Sequence, residues 1–377
     1  MPNQNIISPR FKEEVINELQ GALPTANNNA IGTDLAGWTE FQKILSEANN
    51  AGRLFTNNVS RTFSLIYTAA TYAGCVLAPN GDIQFIPSTA AVGQKINAAG
   101  TVSTYSLTYT TSTGAYYGGV LSSTGEIYFI PGSGIVGQKV SPSGIVSTFA
   151  LTYTTANAYR GGTLSPSGDI YFAPYTAAVG EKLSPTGTPS TYSLTYTTTA
   201  AYFGGVLAPN GDIHFIPRSA AVGQKVNAAG TPSTYSLVYT LVGGAYQGGV
   251  LAPNGDIHFV PYTAAVGQKI NSSGTISTYS LVYTVTAAYL GGVLAPNGYI
   301  HFIPYSAAVG QKISPSGVVS TYSLAYTTAT AYQGGVLAPN GDIYMVPSGG
   351  NRGQVLTRNS GLNLPIGVAL HSFLNKF

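Results

Sequence analysis

Gly248-Gly-Val-Leu-Ala-Pro-Asn-Gly-Asp-Ile-His-Phe-Val-Pro261, continued by Val266-Gly-Gln-Lys-Ile270 and Thr275-Ile-Ser-Thr-Tyr-Ser-Leu281, decides how this 377-residue chain folds. Its first part is two short apolar runs separated by Asn254-Gly255, a hairpin-turn signal. Pro261 stops the return run because proline cannot donate to a strand ladder. Val266–Ile270 reads as a third strand, turned by Ser272-Ser-Gly274. Thr275–Leu281 is rich in β-branched and aromatic residues and reads as a fourth.

The same unit recurs along the chain. Its valine position falls at Val76, Val120, Thr163, Val206, Val250, Val293 and Val336, spacings of 43 or 44 residues. Four strands per repeat of about 40–45 residues is the pattern of a β-propeller blade. The ends of the array agree with a ring. The last copy has its third strand, Gly353-Gln-Val-Leu356, but no fourth, whereas Arg61-Thr-Phe-Ser-Leu-Ile-Tyr-Thr68 is a surplus fourth strand before the first copy. Joining the two pairs both exposed edges. The expected fold is therefore all-β: a seven-bladed propeller of four-stranded blades over 61–357, closed by an N-terminal strand.

The flanks differ in kind. Ten of the chain's charged residues lie within 1–60, and the pattern there predicts a short α-helical N-terminal segment. Phe11, Val15, Leu19 and Leu23 recur every fourth residue after Ser8-Pro9, and Trp38, Phe41, Leu45 and Ala48 form a second stripe starting near Thr39. These helices either pack on the ring or dock it to a partner. Residues 358–377 are an apolar tail with Val368, Leu370, Phe373, Leu374 and Phe377, which covers the ring or meets a neighbour. Phe11, Val15, Leu19, Trp38, Phe41, Leu45, Phe373 and Phe377 are the docking candidates.

Composition narrows the function. Only 8% of residues are charged, far below the roughly 25% of an ordinary soluble domain. A net charge of +3 gives no basis for nucleic-acid binding. No apolar run is long enough for a spanning helix, and the first residues do not read as a secretion signal. The single cysteine, Cys75, excludes an internal disulfide framework.

The array resembles the streptogramin (virginiamycin B) lyase-like group of seven-bladed propellers. The resemblance rests on the order of a glycine-containing inner strand (Gly291-Gly-Val-Leu294), an Asn-Gly turn, an aromatic second strand, Val266-Gly-Gln-Lys-Ile270 and Ser277-Thr-Tyr-Ser-Leu281. It implies the propeller architecture. Lyase activity would further need histidines and a glutamate at inner-strand entrances, together with a magnesium ion. The entrance just before the first glycine holds Ala73, Tyr117, Arg160, Phe203, Gln247, Leu290 and Gln333, none of them a histidine or a carboxylate. The catalytic residues of that group therefore do not carry over.

The remaining polar residues follow the repeat. Asp82, Glu126, Asp169, Asp212, Asp256 and Asp342 share one turn position, with Tyr299 as the exception, and Glu181 stands apart. Lys95, Lys139, Lys182, Lys225, Lys269 and Lys312 share another, either a basic ring or a surface stripe; Val355 replaces the lysine in the last copy. His214, His258 and His301 occupy sites held elsewhere by Gln84, Tyr128, Tyr171 and Tyr344, which suits packing between blades. Charges spread evenly around a rim do not converge on a reaction centre. No catalytic residue, metal or cofactor is expected.

Tyrosine carries the functional signal, since it offers a large contact area with a polar tip. Two recur at each blade junction. The variable positions on that face, Arg160, Tyr175, Arg218, Tyr262 and Tyr305, are the ligand or partner candidates. The expected function is a non-catalytic structural or adhesion protein of a larger assembly. A bacteriophage virion component (decoration, neck or tail appendage) that binds other virion proteins or a host surface, including cell-surface glycan, fits best. A carbohydrate-binding propeller lectin is the alternative, and a lyase- or lactonase-type enzyme the second.

Overall fold

The computed structural model describes residues 59–357 apart from 69–70, 111–113, 242, 329 and 349. The helical segment expected in 1–60 falls outside these up to residue 58, as does the tail 358–377, and with them all eight docking candidates.

The described chain forms seven four-stranded antiparallel sheets. In the first blade the inner strand is Tyr72–Leu77, the second Ile83–Pro87, the third Val92–Ile96 and the outer Val102–Ser106. Later blades begin at Tyr116, Tyr159, Tyr202, Tyr246, Tyr289 and Tyr332. The fold is the expected propeller.

The Ala-Pro-Asn-Gly hairpins show why the repeat spells that sequence. In the fifth blade Gly255 N–H donates to Ala252 C=O and Ala252 N–H to Asp256 C=O, with Gly255 at φ +85°. Proline opens the turn, and glycine takes the left-handed position that a side chain resists.

The third strand carries a second structural rule. Each of its glycines pairs directly with the outer-strand aromatic, as Gly93 with Tyr105 and Gly267 with Tyr279. A Cβ on either glycine would run into that ring. The aromatic thus lies flat across the glycine and covers a backbone that would otherwise be wet.

Closure uses the same device. Val59–Ser64 pairs antiparallel with Arg352–Thr357, placing Phe63 opposite Gly353. The strand starts before the expected Arg61 and ends at Ser64. Beyond it, Ile66 and Tyr67 give their N–H groups to the Gln94 Oε1 of the next blade, which draws the chain out of the ladder.

The core lies between blades. Second strands are buried along their whole length. Each apolar cluster joins two successive blades, as where Val206 and Ile216 meet Tyr246, Phe259 and Ile270. The cluster linking Val336, Tyr344 and Val355 to Tyr72, Phe85 and Ile96 seals the last blade against the first. At about 1.5–3 kcal/mol for each fully buried large side chain, these interfaces dominate stability.

Candidate binding site

The two faces of the ring have different chemistry. On the hairpin-turn face every turn carboxylate is paired with a cation. Lys95 holds Asp82 at 2.7 Å, Lys139 Glu126 at 2.8 Å, Lys182 Asp169 at 2.7 Å, and Lys225 and Lys269 hold Asp212 and Asp256 at 2.6 Å. Where Val355 replaces the lysine, Arg61 of the closing strand reaches Asp342 at 3.3 Å. Where Tyr299 replaces the carboxylate, Lys312 stands 5.0 Å from the centre of its ring. Between the two readings of the lysines, this is a stripe of local pairs along the blades.

The histidines are packing residues. His214, His258 and His301 are buried, each against the outer-strand tyrosine of its own blade at 5.3–5.4 Å between ring centres. Burial, with a nearby lysine, pushes the His214 and His258 pKa down to about 4 and that of His301 to about 3. They are therefore neutral at physiological pH, and His214 and His258 place Nδ1 at 3.3 Å from the Tyr235 and Tyr279 hydroxyls. Burial raises the pKa of the Cys75 thiol, which favours its protonated form.

Glu181 takes the place of a buried glutamine. In six blades that glutamine's Oε1 accepts two backbone N–H groups from the preceding junction, as Gln224 does from Thr195 and Tyr196. Glu181 Oε1 accepts from Thr152 at 2.6 Å, while its fully buried Oε2 has no hydrogen-bond partner among the described residues. Burial raises its pKa against the opposing pull of the backbone donors.

The other face is built on a belt of backbone bonds. The residue after each second-strand proline donates its N–H to an alanine of its own blade or accepts from the next junction, and several do both. Tyr175 donates to Ala158 C=O and accepts from Ala201 N–H; Arg218 does the same with Ala201 and Ala245, Tyr262 with Ala245 and Ala288, and Tyr305 with Ala288 and Ala331. This belt fixes the side chains of those positions around the axis. Four successive blades carry Tyr175, Arg218, Tyr262 and Tyr305 there, whereas Ser348, Ser88 and Gly132 complete the circle with small residues.

All five sequence candidates lie in one arc, half-buried. The Arg160 guanidinium sits 3.7 Å from the centre of the Tyr117 ring and 4.4 Å from that of Tyr175. Arg218 lies 5.5 Å from the same Tyr175 ring, and its guanidinium packs beside Gly244 together with Tyr262. Tyr262 and Tyr305 follow at 6.0 Å. Sequence reasoning missed Tyr117. Its place in the repeat marks only an inner-strand entrance, and the signal for a larger role is Gly132, whose missing side chain leaves the space that the Tyr117 ring fills.

The repeated junction tyrosines divide as their pattern implies. Tyr72, Tyr116, Tyr159, Tyr202, Tyr246, Tyr289 and Tyr332 are almost wholly buried between blades. They are core, not surface.

Beneath the arc lies an axial cavity of about 180 Å³, lined by Tyr117, Phe203, Leu290, Gln333 and the inner-strand glycines. The first glycines of the inner strands form a tight collar. A Cβ on Gly118, Gly161 or Gly248 would come within 3.0–3.1 Å of the next blade's glycine Cα, and one on Gly334 within 2.9 Å of Gly74. All seven have positive φ, from 76° to 140°. The collar allows seven inner strands to converge, and its last contact closes the ring.

Solved structures share this plan. A streptogramin B lyase structure superposes with a TM-score of 0.71 at 18% identity, covering 81% of this chain and 100% of that one. This chain is a seven-bladed β-propeller resembling streptogramin B lyase. Virginiamycin B lyase from Staphylococcus aureus gives 0.70 at 16% identity, over 80% and 99% of the two chains. The WD40 propeller domain of Doa1 gives 0.63 at 11%, over 81% and 98%. No protein-family model and no curated protein matches the sequence. What the propeller shares with these proteins at such identities is the fold.

Proposed function

We propose that this propeller is a non-catalytic binding and assembly protein, a bacteriophage virion component that meets its partner or host surface through the junction face. One observation carries the reading: tyrosines and arginines are gathered into a single arc around the axis, four of them anchored by backbone bonds, and all half open to solvent. Rigid aromatic and arginine side chains at the centre of a face are what binding hot spots are made of. The acid–base groups of the described chain are committed elsewhere. Six carboxylates are in ion pairs, Glu181 caps a junction, and His214, His258 and His301 are held neutral in the core.

Mass spectrometry of purified particles tests the assembly. The chain is expected as a stoichiometric component that survives washing, and its absence from particles contradicts the reading. Incubation with a streptogramin B antibiotic and magnesium tests the non-catalytic claim. The antibiotic is expected to remain uncleaved, and turnover contradicts it.

A further inference from the structure

The arc is lopsided in a way that specifies its ligand. From the second to the sixth blade it runs through Tyr117, Arg160, Tyr175, Arg218, Tyr262 and Tyr305. Over the seventh and first blades the wall drops to Ser348, Ser88 and Ala73, beside Gln333. The result is a horseshoe with a cationic aromatic wall and a low side where the serines are buried and Gln333 is the half-exposed polar residue.

Its arginines are unspent. Among the described residues neither Arg160 nor Arg218 forms an ion pair, whereas six carboxylates of the opposite face all do. The Arg160 Nε is buried without a hydrogen-bond partner, and its side chain makes one hydrogen bond, to Asn157 at 3.2 Å. A guanidinium held against two rings and without a carboxylate partner still has N–H groups to offer a planar bidentate anion such as a carboxylate.

We infer that the junction face binds an acidic glycan, one whose sugars bear carboxylates. The carboxylate meets Arg160 and Arg218, the sugar rings lie on Tyr117, Tyr175, Tyr262 and Tyr305, and the hydroxyls face the low side beside Gln333. Tyrosine suits this because its ring meets the apolar face of a sugar while its hydroxyl stays wet. The axial cavity, at about 180 Å³, is below the ~300–1,000 Å³ of a site that swallows a small molecule. It takes one end of a ligand whose remainder lies across the arc, as an oligosaccharide does. This inference rests on the proposal that the junction face is the binding face and adds the chemistry of what it binds.

Titration calorimetry of the full chain against uronate- and sialate-bearing oligosaccharides, each beside its neutral counterpart, tests the inference. At least one acidic member is expected to bind about tenfold or more tighter than its neutral partner, with affinity falling as salt rises. Arg160→Gln and Arg218→Gln each weaken it about tenfold or more, and Arg160→Lys, which keeps charge but not the flat fork, falls between. Lys225→Gln on the opposite face leaves it unchanged. Failure of every acidic glycan to bind overturns the inference, as do equal affinity for neutral sugars and indifference to both arginine changes. Binding of an acidic peptide such as oligoglutamate in place of the glycans also overturns it while leaving the binding-face proposal standing. Particle membership is decided separately by mass spectrometry.

Discussion

Phe63 lies flat across Gly353, from opposite ends of the described chain, as Tyr105 lies across Gly93 within a blade. Two residues away, Arg61 replaces the cation that Val355 cannot supply to Asp342. The closing strand is therefore a chemical copy of the outer strand it substitutes for. Phe63→Ala is expected to destabilise the ring by about 2 kcal/mol, and Gly353→Val by at least as much, because its side chain would displace the ring. Arg61→Ala should cost no more than about 1 kcal/mol, since that arginine is half exposed. Urea unfolding of the three variants checks the ranking.

Glu181 makes stability depend on pH in a direction that its six glutamine counterparts do not. Its folded pKa is raised, so the folded chain prefers the protonated form and is penalised once the carboxyl ionises. Glu181→Gln should therefore raise the melting temperature at pH 7–8. The gain should shrink as pH falls through the raised value toward the unfolded one, as thermal scans across pH will show.

The histidines act in the opposite sense. Their folded pKa lies at about 3–4 against 6.5 unfolded, so the neutral form stabilises the fold above pH 6.5. That contribution is lost as pH falls from 6.5 toward 3–4, at roughly 3–5 kcal/mol per histidine as an upper bound by linkage. Replacing His301 by Tyr, the residue at the equivalent Tyr344, should flatten the acid limb of the stability curve without changing it at pH 8.

One junction position is strained in four blades. Asn157, Ala200, Ala287 and Thr330 have φ of 56–59°, at positions where other junctions use Gly114 and Gly244. A β-branched side chain is least at home there. Thr330→Gly should stabilise the propeller by about 1 kcal/mol, read from the shift in denaturation midpoint. Unchanged or lower stability would show that the strain is offset locally.

Blade number, strand order and closure were legible because the repeat writes each rule seven times: Asn-Gly turns, a stopping proline, a glycine facing an aromatic. The five candidates of the junction face stand out in the sequence as departures from that repeat; the belt of backbone bonds explains why Tyr175, Arg218, Tyr262 and Tyr305 line up, and Arg160 joins them from an inner strand. Pairings across strands were less so. Asp82 and Lys95 stand far apart in the sequence and meet only because Gln84 pairs with Lys95 across the second and third strands. Arg61 becomes Asp342's partner only once the closing register sets it opposite Val355. Glu181 stood out as the odd carboxylate, but its role needed the buried junction N–H groups to be seen.

Binding is assigned to the junction face and not to the hairpin-turn face. Hydrogen–deuterium exchange of the full chain, free and in its assembled particle, measures this directly. Protection is predicted at the loops around Tyr117, Arg160, Tyr175, Arg218, Tyr262 and Tyr305, with the Asn-Gly turns unchanged. Protection confined to the turns at Asp82, Asp212 and Asp256, with the arc unaltered, would contradict it.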